Sequence, residues 1–267
     1  METLSDSDYS CFERPGVLHF LFYPREEMYR NFLPNSTDIT IPVDDDENIG
    51  ATFHLASTSS PTILFFHGNG EIAADYDDLA PFYTDLGINF FPVDYRGYGR
   101  STGKPTVTSM MNDSHKILKF TKQWLKDNKH TGPLIIMGRS LGSASAIEIA
   151  ANHENEIDGL IIESGFAFVV PLLKLLGVNT KDFELVEEKG FKHIEKIKKY
   201  KKPLLVIHAA FDHIIPFSDG EALFATSPSE KKFFLKVPKA NHNNLLAYAF
   251  SEYMDNVQNL IKEATNQ

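Results

Sequence analysis

The residues best suited to chemistry form the segment Gly138-Arg139-Ser140-Leu141-Gly142, which matches the pattern G-x-S-x-G. In that motif the serine sits at the apex of a strained turn between a strand and a helix, with its hydroxyl exposed above the strand end. Glycine is wanted two positions before and after the serine, because larger side chains would collide in so sharp a turn. A serine held in this way can act as a nucleophile.

The flanking residues supply the strand and the helix that the motif requires. Leu134 to Met137 form a short apolar run typical of a strand buried on both faces. Small residues from Ser143 to Ala146 allow a following helix to pack close to the sheet, and its first backbone N–H groups would point at charge forming on the serine. This context favours a nucleophile at Ser140 over a chance match in an ordinary loop.

A serine hydroxyl becomes reactive when a base takes its proton and a third group orients that base. In the chain order serine, acid, histidine, the favoured acid is Asp212 and the favoured base is His242. Each follows a strand-like run, so loops from three strands converge with Ser140 on one sheet edge. The competing residues near that edge are His67, His208 and His213 for the base and Asp94 and Glu163 for the acid.

The reaction also needs donors for the oxyanion that develops on a substrate carbonyl. One expected donor is the backbone N–H of Leu141, directly after the nucleophile. The second should come from the loop His67-Gly68-Asn69-Gly70, which ends another buried strand-like run, and there we expect the N–H of Asn69. The glycines of this loop allow the backbone to approach a ligand closely.

Length and composition bound the remaining possibilities. A chain of 267 residues with 42% hydrophobic content can form one α/β domain over residues 1–267. A net charge of −10 argues against nucleic acid as a partner. The single cysteine, Cys11, fits a reducing compartment, and with no signal-like N-terminus and no membrane-length apolar run we expect a cytoplasmic monomer.

The order of elements along the chain predicts the architecture. Residues 1–15 are expected to be loosely attached, although Val17–Tyr23 reads as a strand. An acidic turn at residues 44–48 joins a predicted hairpin, and a calcium loop there is disfavoured because the spacing is not that of an EF-hand. From Pro61 onward, strands alternate with helices, which indicates a parallel sheet.

Residues 166–202 interrupt this alternation and are interpreted as a short lid over the carboxyl ends of the strands, where ligands bind in such folds. The lid contains an apolar helix, Phe168–Leu176, and a basic helix, Phe191–Lys202. The apolar helix fits either a wall for an acyl chain or ordinary packing against the sheet. The lysines of the basic helix favour a solvated face over a site for anionic partners.

The segments HGNG, DYRGYGRS and GRSLG, followed by the Asp212 and His242 loops, resemble the α/β-hydrolase superfamily over roughly residues 50–260. The resemblance is greatest to short-lid prolyl-oligopeptidase-type esterases and to α/β-hydrolase-domain acyl-protein thioesterases. It implies an eight-stranded, mostly parallel sheet flanked by helices, with no metal and no organic cofactor. One departure is the sequence His208-Ala209-Ala210, where relatives commonly carry His-Gly.

What the resemblance implies about function is hydrolysis of a small-molecule or acylated substrate at an ester or thioester bond, through an acyl-enzyme on Ser140. Two alternatives stay open. One is a serine peptidase of the prolyl-oligopeptidase kind, against which the absence of a large accessory domain counts. The other is a catalytically silent fold that serves as a binding protein, although such proteins usually lack a triad member and all three candidates are present here.

Overall fold

An eight-stranded sheet runs through the computed structural model of the protein, which describes residues 8–28 and 33–266. Its strands follow one another in the spatial order β1-β2-β4-β3-β5-β6-β7-β8. The strands are β1 (Ser36–Pro42), β2 (Asn48–His54), β3 (Thr62–Phe66), β4 (Asn89–Val93), β5 (Leu134–Arg139), β6 (Gly159–Glu163), β7 (Leu204–Ala209) and β8 (Lys232–Val237).

The sheet is mostly parallel. Strands β3 to β8 pair in parallel, while the predicted hairpin β1–β2 is antiparallel and β2 also pairs antiparallel with β4. The register sets Phe66 of β3 beside Gly138 of β5, and Arg139 beside Glu163 of β6. The loops after these strands therefore begin at the same level, which brings residues distant in sequence to one edge. The fold class expected from the sequence is confirmed.

Helices cover both faces of the sheet. One apolar layer holds α1 and α3 to α7 against one face, and α2 and α8 pack on the other. The helices are α1 (Pro15–Leu21), α2 (Ala80–Asp85), α3 (Val107–Asp127), α4 (Ser143–Asn152), α5 (Val169–Leu175), α6 (His193–Ile197), α7 (Phe217–Thr226) and α8 (Leu245–Thr265). Within residues 8–28 and 33–266, no helix is both long enough and apolar enough to cross a membrane.

The N-terminal segment differs from its prediction. The strand expected at Val17–Tyr23 is wrong, because Pro15–Leu21 forms helix α1. Proline is well suited to a first helical position, and Val17 and Leu21, four residues apart, are the buried side chains of one helix face. The aromatic and β-branched composition of the run resembles that of a strand, but the i, i+4 spacing of its buried residues determines the outcome.

The start of the chain is also better anchored than expected. Residues 1–7 of the segment predicted to be loose lie outside the described residues. In the remainder, Tyr9 and Phe12 are buried, and both rings pack on Phe191. Residues 9–12 are therefore a part of the core on the side of the sheet that carries the 166–202 insertion.

Two predicted helices are shorter than their sequence patterns. The alternation of strands and helices predicts one helix over Glu71–Leu86, but this segment is divided into a 3₁₀ turn at Ala73–Tyr76 and α2, which has Pro81 in its first turn. The basic helix expected at Phe191–Lys202 is reduced to the five residues of α6. The apolar helix expected at Phe168–Leu176 is confirmed as α5, which loses one residue at each end.

Candidate active site

The turn that carries Ser140 has the strained geometry that its sequence predicts. Ser140 follows β5 directly with a φ of 52°, in the left-handed region that residues with a side chain rarely adopt. A Cβ at Gly138 would collide with the carbonyl of Gly142, and a Cβ at Gly142 would collide with the carbonyl of Phe66. Both glycines are thus required by close backbone approach, and α4 begins immediately after the turn.

His242 lies within hydrogen-bonding distance of Ser140. Its Nε2 is 3.0 Å from Ser140 Oγ, and its Nδ1 is 2.7 Å from Asp212 Oδ2. Only 4% of the His242 side chain is exposed. Because Nδ1–H donates to the Asp212 carboxylate, Nε2 is left as an acceptor for the Ser140 hydroxyl. The loop after β8 thus places the His242 imidazole between Ser140 and Asp212.

Asp212 is held as a buried carboxylate. Its Oδ1 accepts hydrogen bonds from the N–H groups of Ile214 and Ile215, at 3.0 and 2.8 Å. Burial alone would raise the pKa of Asp212, but the hydrogen bond from His242 and the backbone donors outweigh it, so the pKa lies below its ordinary value. Asp212 is therefore ionised at neutral pH, as a group that orients an imidazole must be.

The competing histidines occupy other positions. His67 is fully buried after β3, where its Nδ1–H donates to the carbonyl of Gly68 at 2.8 Å. His208 is buried within β7; its Nε2–H donates to the carbonyl of Ile215 at 3.0 Å, and burial lowers its pKa. His213 is exposed. None of the three has a hydrogen bond to Ser140, whereas His242 does.

The competing acids are engaged in structural contacts. Asp94 is buried and accepts a hydrogen bond from the N–H of Ala73 at 2.8 Å, which ties the loop after β4 to the 3₁₀ turn. Glu163 accepts hydrogen bonds from the hydroxyl of Tyr253 at 2.5 Å and from Nε of Arg139 at 3.1 Å. Both carboxylates therefore have partners other than His242.

The loop after β3 orients Asn69 through its neighbours. The carbonyl of Gly68 accepts from His67 Nδ1 and, at 3.3 Å, from the N–H of Glu71. Since the carbonyl and the next N–H of a peptide unit point in opposite directions, the N–H of Asn69 faces away from these donors. Its side-chain Oδ1 accepts from the N–H of Tyr23 and the hydroxyl of Tyr98, both at 2.7 Å.

The other expected donor, the N–H of Leu141, lies in the Ser140 turn. The N–H of Leu141 belongs to the first turn of a helical segment, where backbone N–H groups lack intrahelical acceptors. Both Asn69 and Leu141 line the same cavity as Ser140 and His242. The two backbone donors named from the sequence are thus brought to one cavity with the serine and the histidine.

The cavity has a volume of about 290 Å³ and a mainly apolar wall. Helix α1 contributes Phe20 and Leu21, and the 166–202 segment contributes Phe166, Leu172 and Leu176. The remaining lining residues are Asn69, Glu71, Arg139, Ser140, Leu141, Ile214, Ile215, His242 and Asn243. The lining thus combines a few polar groups with a larger apolar surface, the usual composition of a small-molecule site.

Sequence reasoning missed Arg139 and Glu71 as members of the site. Arg139 is the variable position of G-x-S-x-G, and its guanidinium forms an ion pair with Glu71 beside the cavity. The two residues are 68 positions apart, so no local pattern connects them. Among the described residues, no group of three or more His, Cys, Asp or Glu side chains could hold a metal ion.

Comparison with known families finds one matching family model. Residues 57–181 match the Hydrolase_4 model, described as serine aminopeptidase, S33. This segment contains the Asn69 loop and the Ser140 turn, while Asp212 and His242 lie beyond its end.

Two curated relatives match over a longer stretch. Protein bem46 of Schizosaccharomyces pombe is 31% identical over 191 residues, which are 70% of this chain and 62% of bem46. Alpha/beta hydrolase domain-containing protein 17C of Homo sapiens is 32% identical over 224 residues, 81% of this chain and 63% of that protein. The chain thus spans a little under two thirds of the length of these relatives.

Solved structures share the architecture. An esterase of Pyrococcus furiosus superposes with a TM-score of 0.72, covering 90% of this chain and 98% of the esterase at 19% sequence identity. At this identity the likeness establishes the fold alone.

Proposed function

We propose that this chain, which belongs to the α/β-hydrolase superfamily, is a serine hydrolase that cleaves carboxylic ester or thioester bonds through an acyl-enzyme. The observation that carries the proposal is the continuous relay from Ser140 through His242 to Asp212, with contacts of 3.0 and 2.7 Å. It lies at the head of a cavity with an apolar wall.

The mechanism follows from these contacts. His242 Nε2 takes the proton of Ser140 as Oγ attacks the substrate carbonyl, and the Asp212 carboxylate stabilises the imidazolium that forms. The N–H groups of Asn69 and Leu141 hold the oxyanion, and one such donor can contribute about 2.7–4 kcal/mol to transition-state stabilisation. His242 then protonates the departing alcohol or thiol, and water repeats the route to release the acid and restore the serine.

We further infer that residues 166–202 are a lid for the acyl group within a single domain. Leu172 and Leu176 face α1 across the cavity, which is lined by carbon rather than by polar groups on that side. The cavity is small, with a volume of about 290 Å³. We therefore expect short acyl chains to react best, with long chains disfavoured.

An aminopeptidase is the alternative suggested by the description of the matching family model. Such an enzyme needs an acidic group for the substrate ammonium. Of the described residues that line the cavity, Glu71 is the one acid, and its oxygens already accept from Arg139, Gly68 and Tyr76. The carboxylate is thus occupied, which favours an ester or thioester substrate.

The test is a p-nitrophenyl ester series from acetate to palmitate, together with labelling by a fluorophosphonate. The wild type should turn over the shorter esters and be labelled, and Ser140→Ala should lose both properties. A matched control is Ser145→Ala, which removes another buried serine hydroxyl of the same turn-and-helix segment and should leave turnover unchanged.

Three outcomes would overturn parts of the proposal. Full esterase activity in Ser140→Ala would overturn the assignment of Ser140 as the nucleophile. Preference for an aminoacyl p-nitroanilide over every ester would favour the peptidase. Absence of turnover together with absence of labelling in the wild type would favour the catalytically silent fold.

A further inference from the structure

We propose that Arg139 and Glu71 act together as positioning residues that hold the His242 loop and the Asn69 loop in register around Ser140. This inference deepens the proposed function and rests on it. The two residues do not touch the reacting atoms; they connect the three chain segments that do. We refer to the Arg139–Glu71 pair as the brace.

Arg139 connects the nucleophile turn to the histidine loop. It directly precedes Ser140, and its Nη2 donates to the carbonyl of His242 at 3.0 Å and to Asn243 Oδ1 at 3.4 Å. The bond to the His242 carbonyl fixes the backbone from which the imidazole projects. Movement of this backbone would change the 3.0 Å contact between Nε2 and Ser140 Oγ.

Glu71 connects the nucleophile turn to the oxyanion loop. Its Oε1 accepts from Nη1 of Arg139, and its Oε2 accepts from the N–H of Gly68 at 2.7 Å and the hydroxyl of Tyr76 at 2.6 Å. The N–H of Gly68 belongs to the peptide unit directly before the one that carries the N–H of Asn69. This bond therefore positions the backbone beside the proposed oxyanion donor. One carboxylate therefore links the guanidinium to the oxyanion loop.

The guanidinium is itself fixed from a third side. Its Nε donates to Glu163 Oε1 at 3.1 Å, and the other Glu163 oxygen accepts from Tyr253 of α8. A planar guanidinium can donate in several fixed directions at once, which a flexible ammonium cannot do. The 12% exposure of the Arg139 side chain limits competition from water.

A role in binding a substrate carboxylate is disfavoured by the same contacts. All three nitrogens of the Arg139 guanidinium already donate to Glu71, Glu163 or the histidine loop. A substrate anion would have to displace one of these partners. The pair is thus better suited to hold the loops than to receive a ligand.

The test is a double-mutant cycle of Arg139→Met, Glu71→Gln and the double variant, measured with the best p-nitrophenyl ester. Each single change should lower kcat by about 10²-fold with little change in KM, because a shift of about 1 Å in catalytic geometry has an effect of this size. The double variant should be no slower than the slower single one, because both changes disable one unit. The kcat of Arg139→Lys should lie between that of Arg139→Met and that of the wild type.

Arg96→Met is the matched control. Arg96 forms a partly buried ion pair with Asp113, at 2.7 and 2.8 Å, away from the Ser140 cavity. Loss of that pair should lower the melting temperature and leave kcat unchanged. If Arg139→Met fails to fold, the nearly isosteric Glu71→Gln variant still tests the brace.

A second readout does not depend on turnover. The downfield ¹H NMR signal of His242 Nδ1–H, bonded to Asp212, should be present in wild type and in Ser140→Ala and should shift or disappear in Arg139→Met. Wild-type kcat in folded Glu71→Gln and Arg139→Met, or multiplicative losses in the double variant, would overturn the brace and leave the proposed function intact. A wild type without turnover whose NMR signal still responds to Arg139→Met would overturn the function and leave the brace intact.

Discussion

At the scale of single residues, Ser140 is held in a strained backbone conformation. A left-handed conformation disfavours a residue with a Cβ by about 1–2 kcal/mol, and Ser140 adopts it with a φ of 52°. The surrounding contacts hold this conformation, including the hydrogen bond from Ser143 Oγ to the Ser140 carbonyl at 2.7 Å. Such strain persists where the neighbouring structure over-determines it, as it often does at functional sites.

Because of this strain, we expect glycine at position 140 to give a more stable protein than alanine. Ser140→Gly should have a free energy of unfolding about 1 kcal/mol higher than that of Ser140→Ala, since glycine has no Cβ to disfavour a positive φ. Denaturant titration of the two variants measures the difference. The same pair of changes at Ser145, inside α4, should give the opposite sign, with glycine lower by about 1 kcal/mol. An equal or lower stability for Ser140→Gly would contradict the strain.

The residues named from the sequence differ in how their positions could be inferred. Ser140 could be predicted from the sequence because two glycines and a strand-like apolar run surround it within nine positions of the chain. Asp212 and His242 could be predicted because each lies in the short loop after a parallel strand, and the carboxyl ends of such strands meet at one edge of the sheet. Arg139 and Glu71 had no such signal, because their contact depends on side-chain directions across 68 positions.

At the scale of elements, a hydrogen bond joins the beginning of the insertion between β6 and β7 to helix α6 near its end. His193 of α6 is buried, and its Nδ1–H donates to the carbonyl of Phe166 at 2.6 Å. Burial, with a smaller contribution from Lys196, lowers the pKa of His193 to about 3, although the Phe166 carbonyl and Glu148 act in the opposite direction. His193 is therefore neutral in the folded protein at neutral pH.

This depressed pKa predicts a loss of stability in acid. Between the ordinary histidine pKa of about 6.5 and the folded value near 3, the unfolded chain binds a proton that the folded chain does not. The free energy of unfolding should therefore fall by about 1.4 kcal/mol per pH unit in that window from this group alone. His193→Asn, which can keep a donor to the Phe166 carbonyl, should make the decline shallower by that slope.

Denaturant titrations at several pH values between 7 and 4 measure this slope. His19→Asn is the control, because His19 is exposed and its loss should leave the pH dependence unchanged. An identical decline in wild type and folded His193→Asn would show that other groups cause it.

Element boundaries were harder to infer than element types. Most of the six parallel strands carry apolar runs, although β8 (KFFLKV) includes Lys232 and Lys236, and a parallel sheet was expected from this pattern. Helix α1 was mistaken for a strand because its aromatic residues suit a pleated surface, although its i, i+4 burial is helical. The basic segment before β7 was expected to continue as a helix to Lys202, but α6 ends at Ile197, so charge and propensity alone overestimated its length.

At the scale of the whole molecule, the N-terminal segment and the 166–202 insertion form one structural unit above the sheet. The rings of Tyr9 and Phe12 pack at a tilt against Phe191, with ring centroids 6.0 Å apart in both pairs. The hydroxyl of Tyr9 accepts from Lys196 at 3.1 Å, and Lys196 forms a buried ion pair with Glu148 of α4. The first described residues are thus connected through the insertion to the helix that follows Ser140.

This connection predicts that a residue far from Ser140 in sequence influences substrate choice. Phe12 is fully buried, so Phe12→Ala should lower the free energy of unfolding by about 3–5 kcal/mol. Because α1 follows Phe12 and supplies Phe20 and Leu21 to the cavity, loosening this anchor should also move the ester optimum toward longer acyl chains. Denaturant titration and the p-nitrophenyl ester series measure the two effects.

The control for Phe12→Ala is Phe82→Ala, which truncates a phenylalanine that is 46% exposed on α2, against the opposite face of the sheet. It should change stability little and leave the chain-length profile as in the wild type. A destabilised Phe12→Ala protein with an unchanged profile would show that the N-terminal segment only completes the core. A shifted profile in both variants would mean that general loosening, rather than the contact with the insertion, sets the size of the cavity.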